Sequence, residues 1–200
     1  MIYLSHTFNF GILLEYQIIT DAGEWFLRTA PTVLTEEAFY IPFFKTYIME
    51  FFNLIRQGDL GEIKQLVAKD KRLLTQNDAR GFTPLIMATY SEQAEVAQFL
   101  LEAGAAVDAR DGSGNTALMG TCFKGHPGLV QLLLDHGADV NIRNRKGATA
   151  LIFAATFGQT KIAELLLAAG ADKSIQDVTG STAHMHAKQK GLADLADLLA

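Results

Sequence analysis

The chain has 200 residues, 49% apolar and 20% charged, with a formal net charge of −5. That balance suits a folded domain with a sizeable buried core, excludes a wholly disordered chain, and lacks the basic excess of a nucleic-acid binder, so no nucleic-acid partner is expected. The single cysteine, Cys122, excludes an intramolecular disulfide or a cysteine cluster around a metal and fits a reducing, cytoplasmic setting.

The first residues, MIYLSHTFNFGILLEYQ, have no basic leader, an apolar run cut by Glu15, and no small-residue cleavage site, so no secretory signal is expected. The most apolar later window, Ile41 to Phe52, carries Lys45 and Glu50 and falls well short of the ~20 residues of a spanning helix. No membrane partner is expected. Residues 1–48 are rich in aromatics and share none of the spacing found further on. Within them Gly23 and Pro31 read as breakers, and Thr35-Glu36-Glu37 reads as a helix start with Pro42 placed to split that helix. Three readings stand for this segment: a helical cap on the apolar end of the remaining chain, a partner-binding appendage, or an extension upstream of a start at Met49.

From Met49, Phe51, Phe52, Leu54 and Ile55, then Ile63, Leu66 and Val67, recur at helical spacing on either side of Gly58-Asp59. This reads as one helical hairpin. A register of 33 residues then takes over, carried by Gly81, Gly114, Gly147 and Gly180 and by Thr83, Thr116, Thr149 and Thr182. A period of that size marks a stacked repeat. Each unit parses as turn, helix, break, helix, glycine stop. The threonine is placed to cap the first helix, and Pro84 comes next, where its missing N–H costs nothing, with Ala117, Ala150 and Ala183 in that place later. Gly104, Gly137 and Gly170 end the apolar second helices. Residues 180–200 are shorter and polar, with His184 where Leu85, Leu118 and Leu151 stood, as a solvated end unit requires.

The opening D-x-x-G-x-T-P-L, the leucine-rich second helix and Gly137-Ala138-Asp139-Val140-Asn141 resemble the ankyrin repeat over residues 49–200. The histidine that often comes after T-P-L is replaced by Ile86, Met119, Ile152 and Met185, so apolar packing is expected to tie neighbouring repeats. The resemblance implies an all-α solenoid of about five repeats, near 49–77, 78–110, 111–143, 144–176 and 177–200. It also implies an L-shaped stack with no catalytic centre, a concave face, and projecting loops that bind another protein.

Transferred position by position, the family's contact residues fall on Arg80, Phe82 and Tyr90, on Arg110, Asn115 and Phe123, and on Arg143, Arg145 and Lys146. Arginine and aromatic side chains supply much of the energy of scanned interfaces. The five cations in this set would line one edge and favour an acidic or phosphorylated partner. Reversing Arg110, Arg143 and Arg145 to Glu is expected to weaken that partner and leave thermal stability alone. Met87 and Phe153 are expected to pack in the core, with Phe157 on a rim.

His184 and His186, two apart, point about 200° from one another on a helix and cannot share an ion. His126 and His136 are expected in loop hydrogen bonds, and Cys122 as a buried inert thiol. Gly112-Ser113-Gly114 has no strand before it and no lysine after it, so a phosphate cradle is a weak reading. Asp78, Asp111, Asn144 and Asp177 share one slot and read as turn formers. No nucleophile elbow, zinc-binding helix or paired-carboxylate motif is present, so neither enzyme activity nor a cofactor nor a metal is expected. The expected protein is a free-standing, monomeric, cytoplasmic binding module. Resemblance to short bacterial stand-alone ankyrin-like proteins implies a second reading, an ancillary or maturation factor for an enzyme such as a haem catalase. A third is self-association through residues 1–48.

Overall fold

The computed structural model describes residues 16–19, 25–28 and 36–200, with side chains from residue 45 onward. The chain forms two compact units that divide between Thr46 and Tyr47. In the first, strands β1 (Tyr16–Ile19) and β2 (Trp25–Arg28) pair antiparallel, with Tyr16 opposite Arg28 and Ile19 opposite Trp25. The helical reading of this segment overlooked them, although YQII and WFLR are short runs of aromatic and β-branched residues, the usual material of strands. Gly23 and Pro31 lie outside the described residues. Helix α1 (Glu36–Gln57) begins after Thr35 as expected. It then runs through Pro42 unbroken, contrary to expectation. The lost backbone bond costs roughly 3 kcal/mol, and the helix is anchored further on, where Phe51, Phe52 and Ile55 are at most 2% exposed.

The second unit is all-helical. After α1 come α2 (Leu60–Lys69), a 3₁₀ turn at Lys71–Thr75, and four helix pairs. These are α3 (Pro84–Tyr90) with α4 (Ala94–Glu102), and α5 (Ala117–Lys124) with α6 (Pro127–Asp135). Next come α7 (Ala150–Thr156) with α8 (Thr160–Ala168), and α9 (Ala183–Gln189) with α10 (Ala193–Leu199). The first helices α3, α5, α7 and α9 stack in sequence, and each also packs on its own second helix.

Periodicity explains the stack. Val96, Leu129, Ile162 and Leu195 share one place in the register, and Leu100, Leu133, Leu166 and Leu199 share the place four residues on. All eight are at most 5% exposed. Four residues apart on a helix means one face, and burying each such side chain contributes about 1.5–3 kcal/mol. A lone pair has nothing to bury that face against, so stability is collective. Ile86, Met119 and Ile152 are buried where the family often has histidine, as expected, whereas Met185 in the last pair is 51% exposed.

The threonine caps form as read. Thr83 Oγ1 accepts from the amide of Ile86 at 3.2 Å, and Thr116, Thr149 and Thr182 accept from Met119, Ile152 and Met185 at 3.4 Å. Glycine is required in the loops twice over. Gly81, Gly114 and Gly147 have φ of +80°, +81° and +72°, and the next loop lies against them. A Cβ on these three would come within 2.9 Å of the Gly112 nitrogen, 3.1 Å of the Arg145 nitrogen and 3.1 Å of the Val178 nitrogen.

Candidate functional site

Each projecting loop is closed by one side chain. Asp78 Oδ1 accepts from the amides of Arg80 and Phe82 at 2.8 and 2.9 Å, and Asp111 Oδ1 accepts from Ser113 and Asn115, both at 2.8 Å. Asn144 Oδ1 takes Lys146 and Ala148 at 2.9 and 3.0 Å, and Asp177 Oδ1 takes Thr179 and Ser181 at 2.8 and 3.1 Å. A side-chain oxygen bonding the backbone two and four residues on fixes the turn without neighbours. The last three loops are then joined in series. The Arg145 amide donates to Ser113 O at 3.1 Å, the Val178 amide to Lys146 O at 2.9 Å, and Asn144 Nδ2 to Asn115 Oδ1 at 2.7 Å.

The five cations on this edge do not behave alike. Arg80 pairs with Asp78 at 3.2 Å, and its guanidinium sits 4.5 Å from the Phe82 ring centroid. Arg110 Nη1 reaches the carbonyl of Arg143 at 3.4 Å. Arg143 donates to Gln176 O at 2.8 Å and to Gly147 O at 3.2 Å. Arg110 and Arg143 are therefore ties between loops, and the expectation that reversing them leaves stability untouched is corrected on that ground. Arg145 and Lys146 are exposed, and their side chains have no hydrogen bond, ion pair or ring contact among the described residues. Lys146 holds the place of Arg80 in the register, but Asn144 stands for Asp78 and Ala148 for Phe82. Its counter-charge and its ring have both been substituted away.

Aromatic rings occupy the ends of the first helices on the same side. Tyr90, Phe123 and Phe157 are 37%, 41% and 45% exposed. Phe82 and Tyr90 are 5.7 Å apart, Lys124 Nζ lies 4.9 Å from the Tyr90 ring, and Phe123 meets Phe157 edge-on at 4.7 Å. Phe153 stacks on Phe157 at 6.3 Å. Met87 is buried, as expected. Phe153 departs from the same expectation: it is half-buried and walls an open groove of about 340 Å³ shared with Ser113, Asn115, Arg145 and Lys146. The matching place in the neighbouring helix α5 is Gly120, where an added Cβ would meet nothing within 4 Å.

A second feature was not foreseen. Glu92 adopts φ +62° where Gly125, Gly158 and Gly191 stand in the later repeats. Its carboxylate meets His126 Nε2 at 3.0 Å and Lys124 Nζ at 3.3 Å, and these bonds, that of His126 foremost, hold the carboxyl below its ordinary value. Aligning the copies by 33 residues exposes the substitution, which is the signal that would have found it.

The remaining candidates have local partners. His136 Nδ1 lies 2.9 Å from Leu132 O, His184 Nδ1 2.8 Å from Ala196 O, and His186 Nε2 2.8 Å from Asp177 Oδ2. Burial works to raise Asp177, but hydrogen bonds from Thr179, His186 and Ser181 together outweigh it and hold the carboxyl well below the usual range. Cys122 is wholly buried in α5, which pushes its thiol far above the ordinary value and leaves no thiolate to react. Among the described residues no three His, Cys, Asp or Glu side chains converge as metal ligands, and no helix is long and apolar enough to cross a membrane.

Capped helix pairs in a 33-residue register, with loops bonded in series along one edge, define a stacked-repeat binding scaffold. Residues 80–112 match the family model for the ankyrin repeat, and residues 105–177 match the model for ankyrin repeats in three copies. The chain is an ankyrin repeat protein. It is also similar to the human "DNA-binding protein RFXANK", with 40% identity over 57 residues. That stretch is 28% of this chain and spans about a fifth, 22%, of the human protein.

Proposed function

We propose that residues 49–200 are a non-enzymatic module that grips a partner protein through the concave first-helix face and the loop tips. Ankyrin repeats are protein–protein interaction modules, and the observation that carries the reading to particular residues is the exposed row of Tyr90, Phe123 and Phe157, linked through Phe153 to Arg145 and Lys146, two cations without a partner among the described residues. Rings held by a scaffold lose little entropy on binding, so their burial goes largely into affinity. In this reading Tyr90, Phe123 and Asn115 make contacts, and Arg145 and Lys146 supply charge. Phe82, Arg80, Arg110 and Arg143 hold the edge in shape. The partner presents an acidic surface, and the module acts as a cytoplasmic monomer.

The name of the human relative raises duplex DNA as a partner. A net charge of −5 and a groove with only two cations unpaired among the described residues support a protein instead. Affinity capture with the full chain, beside a variant carrying Phe123→Ala, Phe157→Ala and Lys146→Glu, tests this. The proposal expects a partner protein that binds the parent and is lost from the variant, which still unfolds cooperatively although removal of the Phe123–Phe157 pair lowers its thermal stability. A partner retained by the variant, or displaced by duplex DNA, contradicts it. Recovery of an enzyme such as a haem catalase would make the module that enzyme's ancillary factor.

A further inference from the structure

The groove between the loops at residues 111–115 and 144–148 differs in kind from the rest of the edge. Its floor is the ring of Phe153 and its rim carries Ser113, Asn115, Arg145 and Lys146. Asn144 closes the second loop with an amide oxygen, so the turn is kept and no carboxylate accompanies it. Asp111, which closes the first loop, has its carboxylate occupied by the amides of Ser113 and Asn115 and by Asn115 Nδ2 at 3.1 Å. Two cations are left without an ion pair among the described residues beside a half-buried ring, and the aromatic row starts from that same ring. Phe157 lies 6.3 Å from Phe153, and Phe123 a further 4.7 Å on.

Resting on the partner-binding reading above, we infer that the groove is a subsite for an acidic side chain of a protein segment whose apolar or aromatic anchor lies on Phe123 and Phe157. Charge complementarity selects the occupant. A carboxylate is the group that gains from two cations unpaired among the described residues and from the Ser113 hydroxyl, and its methylene stem lies on Phe153. The rings set the spacing: at about 3.3 Å per residue of extended chain, acid and anchor stand roughly two to three residues apart. The subsite thus reads a two-point motif, one Asp or Glu and one large apolar residue, and the row and groove supply area and direction respectively.

The test is selection of 16-residue peptides displayed on phage against the immobilised full chain and against Lys146→Glu, a variant whose altered side chain has no partner among the described residues. Selected sequences should share an Asp or Glu two to three residues from an aromatic or large aliphatic residue. Changing that acid to its amide should weaken a selected peptide about tenfold, and Lys146→Glu should abolish the acid preference. A phosphoserine version of the peptide binding far more tightly than the Glu version would replace the carboxylate with phosphate and overturn the assignment. So would selected peptides without an acid, or an acid preference unchanged in Lys146→Glu. Peptides that bind independently of Lys146 but are lost on Phe123→Ala with Phe157→Ala would overturn the acidic subsite and leave the interaction module standing. Peptides insensitive to every substitution on this face would overturn both.

Discussion

The loop at residues 78–82 and the loop at residues 144–148 share one backbone plan and differ in electrostatic outcome. In the first, Asp78 closes the turn and also pairs with Arg80 at 3.2 Å, and Phe82 lies under the guanidinium. In the second, Asn144 closes the same turn, Ala148 offers no ring, and Lys146 projects alone. Four differences over five residues, Asn144 for Asp78, Arg145 for Ala79, Lys146 for Arg80 and Ala148 for Phe82, turn a self-satisfied loop into an open one around the same turn. In a repeat protein the register holds shape constant, so departures from the register are where binding chemistry can be placed.

The comparison depends on a common scaffold, and its largest break comes from removing that. Leu118 in α5 is 1% exposed, and Leu118→Ala should cost about 2–5 kcal/mol in urea unfolding, with loss of the whole cooperative unit. A loss below about 1 kcal/mol would show that the repeats do not share a core. Next in size is the contrast between two arginines on one loop. Arg143→Ala removes bonds to Gln176 O and Gly147 O and should cost about 1–2 kcal/mol in thermal unfolding, whereas Arg145→Ala should stay within about 0.5 kcal/mol.

Acid separates the loops in another way. Asp177 titrates below its ordinary range because hydrogen bonds outweigh burial. A depressed carboxyl contributes stability that is present above the unfolded value, about 3.9, and is lost as pH falls through the lower folded value. Amide exchange should therefore quicken at Thr179 and Ser181 only in strong acid, and Asp177→Asn should remove that dependence. The Lys146 and Ala148 amides, bonded to a neutral Asn144, should show no such step of their own. The smallest effect concerns Gly120. An added Cβ there meets open space, so Gly120→Ala should stabilise by up to about 1 kcal/mol through helix propensity. Destabilisation would mean that the glycine serves the backbone and not the openness of the groove.

What the sequence discloses and what it hides divide along the same line. Thr83, Gly81 and Asp78 act within a few residues of themselves, so caps and turns are legible from a single copy. The role of Arg143 is not legible, because its acceptor at Gln176 belongs to the next loop, and a charged loop residue reads as solvated until that loop is in place. Phe153 reads as core because Met87 in its register place is core; its exposure belongs to packing between repeats, which a single copy does not display. Pro42 and the β1–β2 pair lie outside the repeat, where no register guides the reading. The vacancy at Asn144 is visible as a lone amide among three aspartates, but its meaning needs the distance from Arg80 to Asp78 for comparison.

The central claim is that the substitution of Asn144 for aspartate opens the groove to an acidic partner. Fluorescence anisotropy of a labelled peptide bearing one Glu and one Phe two residues apart, titrated with the full chain, with Asn144→Asp and with Asp78→Asn, tests it most directly. Aspartate closes the same turn at three other places in this protein, so Asn144→Asp should keep the turn and add an anion beside Lys146, at the cost of the Asn144 Nδ2 bond to Asn115 Oδ1, a loss that Asn115→Ala in the parent measures separately. The account predicts affinity about tenfold weaker, equivalent to ~1.4 kcal/mol, for Asn144→Asp, and no loss for Asp78→Asn. Equal affinity in the parent and Asn144→Asp would contradict it.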